Sequence, residues 1–238
     1  FISIVLFIRV IGSDNYGQYS LLLSQCNLIV ALGFGWLNQA QLRYYSNDIS
    51  SSDYDSKQII SLFYSLMICI IVLTALVLLQ SFSMQIWFVS IVTIGSIGGF
   101  NYLKTIYQAK LFPKIVFYIV SSQAILSLLL PIIILFFFNK SEVTLLFGVG
   151  LSFLIIQILL VIRHKSRFLI MLNLWRKKKR NNIVIVKWLK YGIPMSIWLA
   201  AGLTLPFLDR YFINHFLPTV ELGIYASLQE LLARLFSL

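Results

Sequence analysis

The sequence predicts an all-α polytopic membrane protein. Three observations carry that expectation. Of 238 residues, 59% are hydrophobic and only 11% are charged, against about 25% charged in a soluble domain. Mean hydropathy is +0.88. Charge-free runs are long: residues 58–103 contain no Asp, Glu, Lys or Arg, and a bilayer core of about 30 Å is crossed by roughly 20 helical residues. Runs such as Ile132-Ile133-Ile134-Leu135-Phe136-Phe137-Phe138 lack the alternation that strands of a membrane barrel require. This composition excludes a soluble domain, which could not clothe its surface, and a disordered chain. Two cysteines exclude a disulfide scaffold.

The spans follow in order. Residues 1–8 are apolar but too short to cross, so they read as the end of a first span. Residues 15–42 form the second. The run 58–103 is long enough for two, with Ser81, Ser83 and Gln85 turning the chain near its middle. Residues 115–139, 143–162 and 191–208 give the fifth, sixth and seventh, and Leu222 begins an eighth. The expectation is about seven helices plus the start of an eighth. The chain begins at Phe1 and stops within the apolar stretch 231–238, so it reads as an internal piece of a longer protein.

Charge sets the orientation. The net charge is +11, yet ten of the 19 basic residues lie between Arg163 and Lys190, where there is no acid. The basicity belongs to one segment, which argues against a nucleic-acid partner. By the positive-inside rule that segment is cytoplasmic. Residues 43–57 and 104–114 then fall inside, and 12–16, 81–85 and 139–142 outside. Every basic-rich loop lands on one side. Within the basic segment, Arg176-Lys177-Lys178-Lys179-Arg180 reads as a topogenic run that can also attract anionic headgroups. Trp175 with Leu169, Ile170 and Leu172 suggests a surface-lying amphipathic stretch.

Other residues carry less. Asp53-Tyr54-Asp55 has the form of a metal-binding DxD, but its loop is too short for a nucleotide-binding domain, and Ser51, Ser52 and Asp53 read as helix caps. Cys26 and Cys69 read as apolar fillers, and His164 and His215 lack metal-ligand spacing. No metal or cofactor is expected. Gly95, Gly98 and Gly99 suit close helix approach. Pro194 and Pro206 share one span and mark it as the hinge candidate. Arg9, Asp209 and Arg210, near the external ends of spans one and seven, and Asn38, Gln39, Gln41 and Arg43, toward the internal end of span two, are the polar residues at depth. Such residues face a water-filled cavity or one another.

A weak repeat links the two ends. Ile11 to Ser20 and Leu217 to Ala226 each end one span and begin the next, and Gly17, Tyr19 and Leu22 match Gly223, Tyr225 and Leu228. Six spans separate the copies, so the halves would be parallel repeats. The segments Arg9 to Ser20, Leu32 to Ala40 with Arg43-Tyr44-Tyr45, Tyr191-Gly192-Ile193-Pro194, Asp209 to Ile213 and Leu222 to Tyr225 resemble the polysaccharide-unit flippases. These form the oligosaccharidyl-lipid branch of the multidrug/oligosaccharidyl-lipid/polysaccharide exporter superfamily. Pro218, where that family often has Gly, and His215 depart from the pattern.

The resemblance implies 12 to 14 helices in two lobes. Residues 1–162 would be the N-terminal lobe, 163–190 the cytoplasmic linker and 191–238 the start of the C-terminal lobe. It implies translocation of a polyprenyl-pyrophosphate-linked oligosaccharide across the bacterial cytoplasmic membrane, without covalent chemistry. The product would feed O-antigen or capsule assembly. The partners would be that lipid-linked cargo, membrane lipids, and the polysaccharide polymerase with its chain-length machinery. Two other readings stay open: a cation-coupled multidrug exporter of the same superfamily, and a membrane polymerase or ligase.

Overall fold

The computed structural model describes residues 2–48, 54–80, 83–163 and 183–236. Among these, seven helices occur and no strand: α1 (Ile2–Asp48), α2 (Tyr54–Gln80), α3 (Met84–Ala109), α4 (Pro113–Phe137), α5 (Glu142–Arg163), α6 (Ile183–Phe216) and α7 (Thr219–Phe236). Six of them, α1 to α6, are long and apolar enough to cross a bilayer. The protein is therefore an all-helical chain of multi-pass membrane type.

α1 covers both the stretch read as the end of the first span and the run read as the second. Gly12 interrupts it with φ 84° and ψ 161°, a conformation glycine adopts without the Cβ penalty of other residues. The rings of Phe7 and Tyr19 meet edge to face at 6.3 Å. In a straight helix those positions would lie about 18 Å apart along the axis. The chain doubles back at Gly12, and Ile4, Phe7 and Ile11 pack beside Tyr16, Tyr19 and Leu22. The loop expected at 12–16 thus contracts to one residue; Ser13 to Tyr16 are helical.

The other connections are as local. The Ser83 hydroxyl accepts the Ile86 amide and caps α3. Trp87 Nε1 donates to Thr74 Oγ1 at 3.2 Å, tying α3 to α2. Pro113 opens α4 at a position where its missing N–H costs nothing. It also keeps Phe112 out of the helical region, at φ −102° and ψ 71°. The Ser141 hydroxyl accepts the Thr144 amide at the start of α5.

Burial separates the helices. Two thirds of the most apolar stretch of α1 is buried, but only 17% of that of α4 and of α6. α1 is the central pole. Its two halves pack with α4, α5 and α7 in one core and with α2 and α3 in another. Exposed Phe117, Phe136, Phe137, Trp198 and Leu205 turn outward on the two peripheral helices. Such a surface suits hydrocarbon, where an outward apolar side chain carries no hydration cost.

Glycines set the closest approaches. A Cβ on Gly98 would strike the Phe34 ring and one on Gly99 the Gln157 amide, whereas Gly95 has only Leu66, at 4.0 Å. Of the expected small-residue contact, Gly98 and Gly99 take part and Gly95 does not. Both cysteines are buried, and the Cys69 thiol donates to the Ile29 carbonyl.

One sequence boundary moves. α6 begins at Ile183, ahead of the span expected from Tyr191, so residues 183–190 are helical. Lys187 and Lys190 are charged, but they are exposed at the helix end, where a charge avoids hydrocarbon. α6 runs unbroken through Pro194 and Pro206. Residues 164–182, with the basic run Arg176, Lys177, Lys178, Lys179 and Arg180, lie outside the described residues, as do Ser51, Ser52 and Asp53.

Candidate functional site

The second half of α1 and α6 run antiparallel over their full shared length. Gln18 Nε2 donates to Asn214 Oδ1 at 2.7 Å. A Cβ on Gly35 would sit 3.0 Å from Ser196 Cβ, and one on Gly192 would strike the Trp36 carbonyl. Tyr44 and Tyr191 meet edge to face at 5.8 Å. Of the polar residues that the sequence singles out, this α1–α6 seam carries Arg210 and Arg43, at opposite ends.

The first cluster lies at the Gly12 end. Arg210 is 7% exposed and spends its guanidinium on three partners. Nη1 donates to the Ser20 carbonyl at 3.0 Å, Nε to Gln229 Oε1 at 3.2 Å and Nη2 to Glu230 Oε1 at 3.4 Å. Glu230 Oε2 accepts from the Tyr16 hydroxyl at 3.0 Å. Asp209 turns the other way and accepts from the Tyr225 hydroxyl at 3.0 Å. Asp209 therefore does not orient Arg210; adjacent helical positions point about 100° apart. Arg9 is exposed and joins neither group. Glu230, Gln229 and Tyr16 are the members that the sequence does not single out. Glu230, an acid within an apolar run, was the available signal.

Magnitudes rank these contacts. A neutral hydrogen bond between helices in a bilayer averages about 0.6 kcal/mol. A buried ion pair that loses one partner costs about 3–5 kcal/mol. The Arg210–Glu230 pair dominates this end.

The glycines beside it make a reciprocal contact. A Cβ on Gly17 would meet Gly223 N at 2.7 Å and the Thr219 carbonyl at 2.9 Å, and one on Gly223 would strike the Ser13 carbonyl. The offset that takes Gly17 to Gly223 also takes Ser13 to Thr219. Gly17 against the Thr219 carbonyl and Gly223 against the Ser13 carbonyl are therefore equivalent contacts under that offset.

The second cluster lies at the Arg43 end. Arg43 is exposed, with its guanidinium carbon 4.2 Å from the Tyr191 ring centroid and 5.5 Å from that of Tyr44. Lys187 Nζ lies 4.1 Å over the same Tyr44 ring. Asn38 and Gln39 are half-buried. Asn38 Oδ1, the Gln41 amide, Gln58 Nε2 and the hydroxyls of Ser61 and Ser65 are buried and make no hydrogen bond among the described residues. The structure brings Asp209 and Arg210 to one end and Arg43 to the other.

A groove of about 500 Å³ opens between α2, α3 and α5, lined by Leu66, Gly95, Ser96, Leu154, Gln157 and Ile162 among others. Its lining is almost wholly apolar and holds no charge, so it suits hydrocarbon rather than an anionic head. Among the described residues no group of three His, Cys, Asp or Glu could hold a metal. Comparison with family models, curated proteins and solved structures gives no match to this chain.

Proposed function

We propose that this chain is part of a flippase that carries polyprenyl-pyrophosphate-linked oligosaccharide units across the bacterial cytoplasmic membrane. The observation that carries the reading is the reciprocal Gly17–Gly223 contact. Two parallel repeats related by an axis along the membrane normal would meet through equivalent residues near that axis. That contact and the sequence repeat share one offset. The α1–α6 seam would then be where the two lobes meet. With the Gly12 end outside, the Gly17–Gly223 contact and the Arg210 network close the external side. Lobe rocking would part them to release an anionic, hydrated head. The polymerase and its chain-length machinery would take the product.

The cation-coupled exporter is the weaker reading. It needs intramembrane carboxylates able to take up H⁺ or Na⁺. Glu230 is held by Arg210 and Tyr16, and Asp209 by Tyr225.

Full-length protein expressed in a strain lacking its own flippase tests the proposal. Restored surface polysaccharide is the expected result; none, at normal membrane abundance, would count against it. Orientation has its own check in a background free of Cys26 and Cys69. Lys140→Cys should react with an impermeant thiol reagent in intact cells, and Lys178→Cys should not. Labelling of Lys178→Cys from outside would reverse the assignment of the two ends.

A further inference from the structure

The two ends of the bundle differ in how their polar groups are satisfied. At the Gly12 end Arg210, Glu230, Gln18 and Asn214 are held by other side chains. At the Arg43 end a group of buried polar atoms makes no hydrogen bond among the described residues. Gln41, Gln58, Ser61 and Ser65 are each 2% exposed or less. Gln41 is orphaned at both amide atoms, Gln58 at Nε2, and Ser61 and Ser65 at their hydroxyls. Trp36 Nε1 and Asn38 Oδ1 are orphaned with them.

Helix register brings these residues to one place. The Cys69 thiol on α2 meets the Ile29 carbonyl on α1, and a Cβ on Gly33 would sit 3.2 Å from the Ser65 carbonyl. The two helices are therefore antiparallel, and four residues forward on α1 match four back on α2. That step carries Gly33 and Ser65 to Leu37 and Ser61, and then to Gln41 at the turn that holds Gln58. Gln58, Ser61 and Ser65, spaced by three and four, share one face of α2. Tyr102 brings in α3, its hydroxyl donating to Gln58 Oε1 at 2.9 Å. Trp36, Leu37 and Ala40 pack with Tyr102 in the apolar shell around the group.

Chemistry chooses the ligand. An orphaned polar atom inside a membrane protein is costly, and its partner must come from within the protein. These side chains stand beyond hydrogen-bonding distance of one another, so something bridges them. A metal cation would suit Gln41 Oε1, Asn38 Oδ1 and the hydroxyl oxygens but not the N–H groups of Trp36, Gln41 and Gln58. An anion would suit the N–H groups and be repelled by the oxygens. Water both donates and accepts, and it is small enough for atoms closed off from the surface. Gln58 and Ser65 lie about 10 Å apart along the axis of α2, the length of a short file of molecules.

We infer that α1, α2 and α3 hold a file of bound water at the Arg43 end, bridging Gln41 to Gln58, Ser61 and Ser65. The water stands where direct side-chain pairs stand at the Gly12 end, and it ties the three helices together. The site is independent of the transport reading.

X-ray pulse radiolysis of the full-length protein in nanodiscs tests this, because hydroxyl radicals made from bound water oxidise the side chains beside it. Oxidation is read residue by residue by mass spectrometry. Trp36, 3% exposed, should be oxidised severalfold faster than Cys26, 1% exposed in the apolar core, although a thiol reacts with the radical at least as readily as an indole. Gln41→Leu combined with Ser61→Ala should slow oxidation at Trp36 and leave Cys26 as it was. Ser61→Ala and Ser65→Ala should each leave the melting temperature unchanged or lower it, since each gives up a hydroxyl bonded to water. Oxidation of Trp36 no faster than that of Cys26 would overturn the site, and this wild-type comparison decides even if the variants fail to fold. A raised melting temperature in both serine variants would also overturn it, because removing a dry, unpaired hydroxyl stabilises. Melting that is higher in sodium chloride than in choline chloride at equal ionic strength would replace water by a bound cation.

Discussion

Arg210→Ala in the full-length protein is expected to lower the melting temperature in detergent and cut membrane abundance severalfold. The Arg210 side chain is 9% accessible and that of Glu230 24%. Truncation removes all three donor contacts at once and takes the cation from Glu230, which keeps the Tyr16 hydroxyl. The cost should fall near the lower end of about 3–5 kcal/mol, because Glu230 keeps some access to its surroundings. Arg210→Met combined with Glu230→Leu should recover much of the loss, since a well-packed apolar pair replaces a buried charge pair at little cost. Asp209→Asn should change little, because its amide oxygen still accepts from Tyr225. Unchanged melting in Arg210→Ala would contradict the ion-pair role. If melting were unchanged and export were lost, Arg210 would instead be acting on the cargo.

Gly17→Val and Gly223→Val should each destabilise the protein by about 1–3 kcal/mol, toward the upper end. The atoms a Cβ would meet are backbone: Gly223 N at 2.7 Å for the first, the Ser13 carbonyl for the second. Neither can swing aside as a side-chain tip could, so α1 and α7 must separate. Once separated, the second bulky residue has room. The double variant should therefore cost clearly less than the sum of the singles. Gly202→Ala is the control: nothing lies within 4 Å of the added carbon, and helix propensity favours alanine. Additive losses at 17 and 223 would show that the two glycines do not share one contact.

The helices were readable in the sequence for a simple reason. A charge in hydrocarbon is costly wherever it falls along a span, so the charge-free runs mark the buried lengths. Ends were harder. α6 starts at Ile183 although Lys187 and Lys190 follow, because at an interface a lysine over a tyrosine ring escapes that cost. The turn at Gly12 was legible from Gly12, Asp14 and Asn15, but not its compression to one residue, which needs Phe7 and Tyr19 to meet.

The clusters were legible in part. Arg210 stood out as a cation at depth. Its partner, Glu230 on α7, becomes visible only when two helices are paired. Gly17 and Gly223 were matched as equivalents, which says nothing about whether equivalents touch. The cation sharing of Tyr44 needs α1 and α6 side by side, and no spacing within either helix announces it.

Cross-linking across the α1–α6 seam tests the transport mechanism most directly. Gln18 and Asn214, whose side chains meet at 2.7 Å beside the glycine contact, are the positions to use. Gln18→Cys with Asn214→Cys, in full-length protein free of Cys26 and Cys69, would be bridged by a short bis-maleimide or oxidised in a strain lacking its own flippase. The expected result is surface polysaccharide from the unbridged protein, arrest on bridging, and recovery when a disulfide bridge is reduced. Export that continues through fully bridged protein, or no export even from the unbridged form at normal abundance, would contradict it.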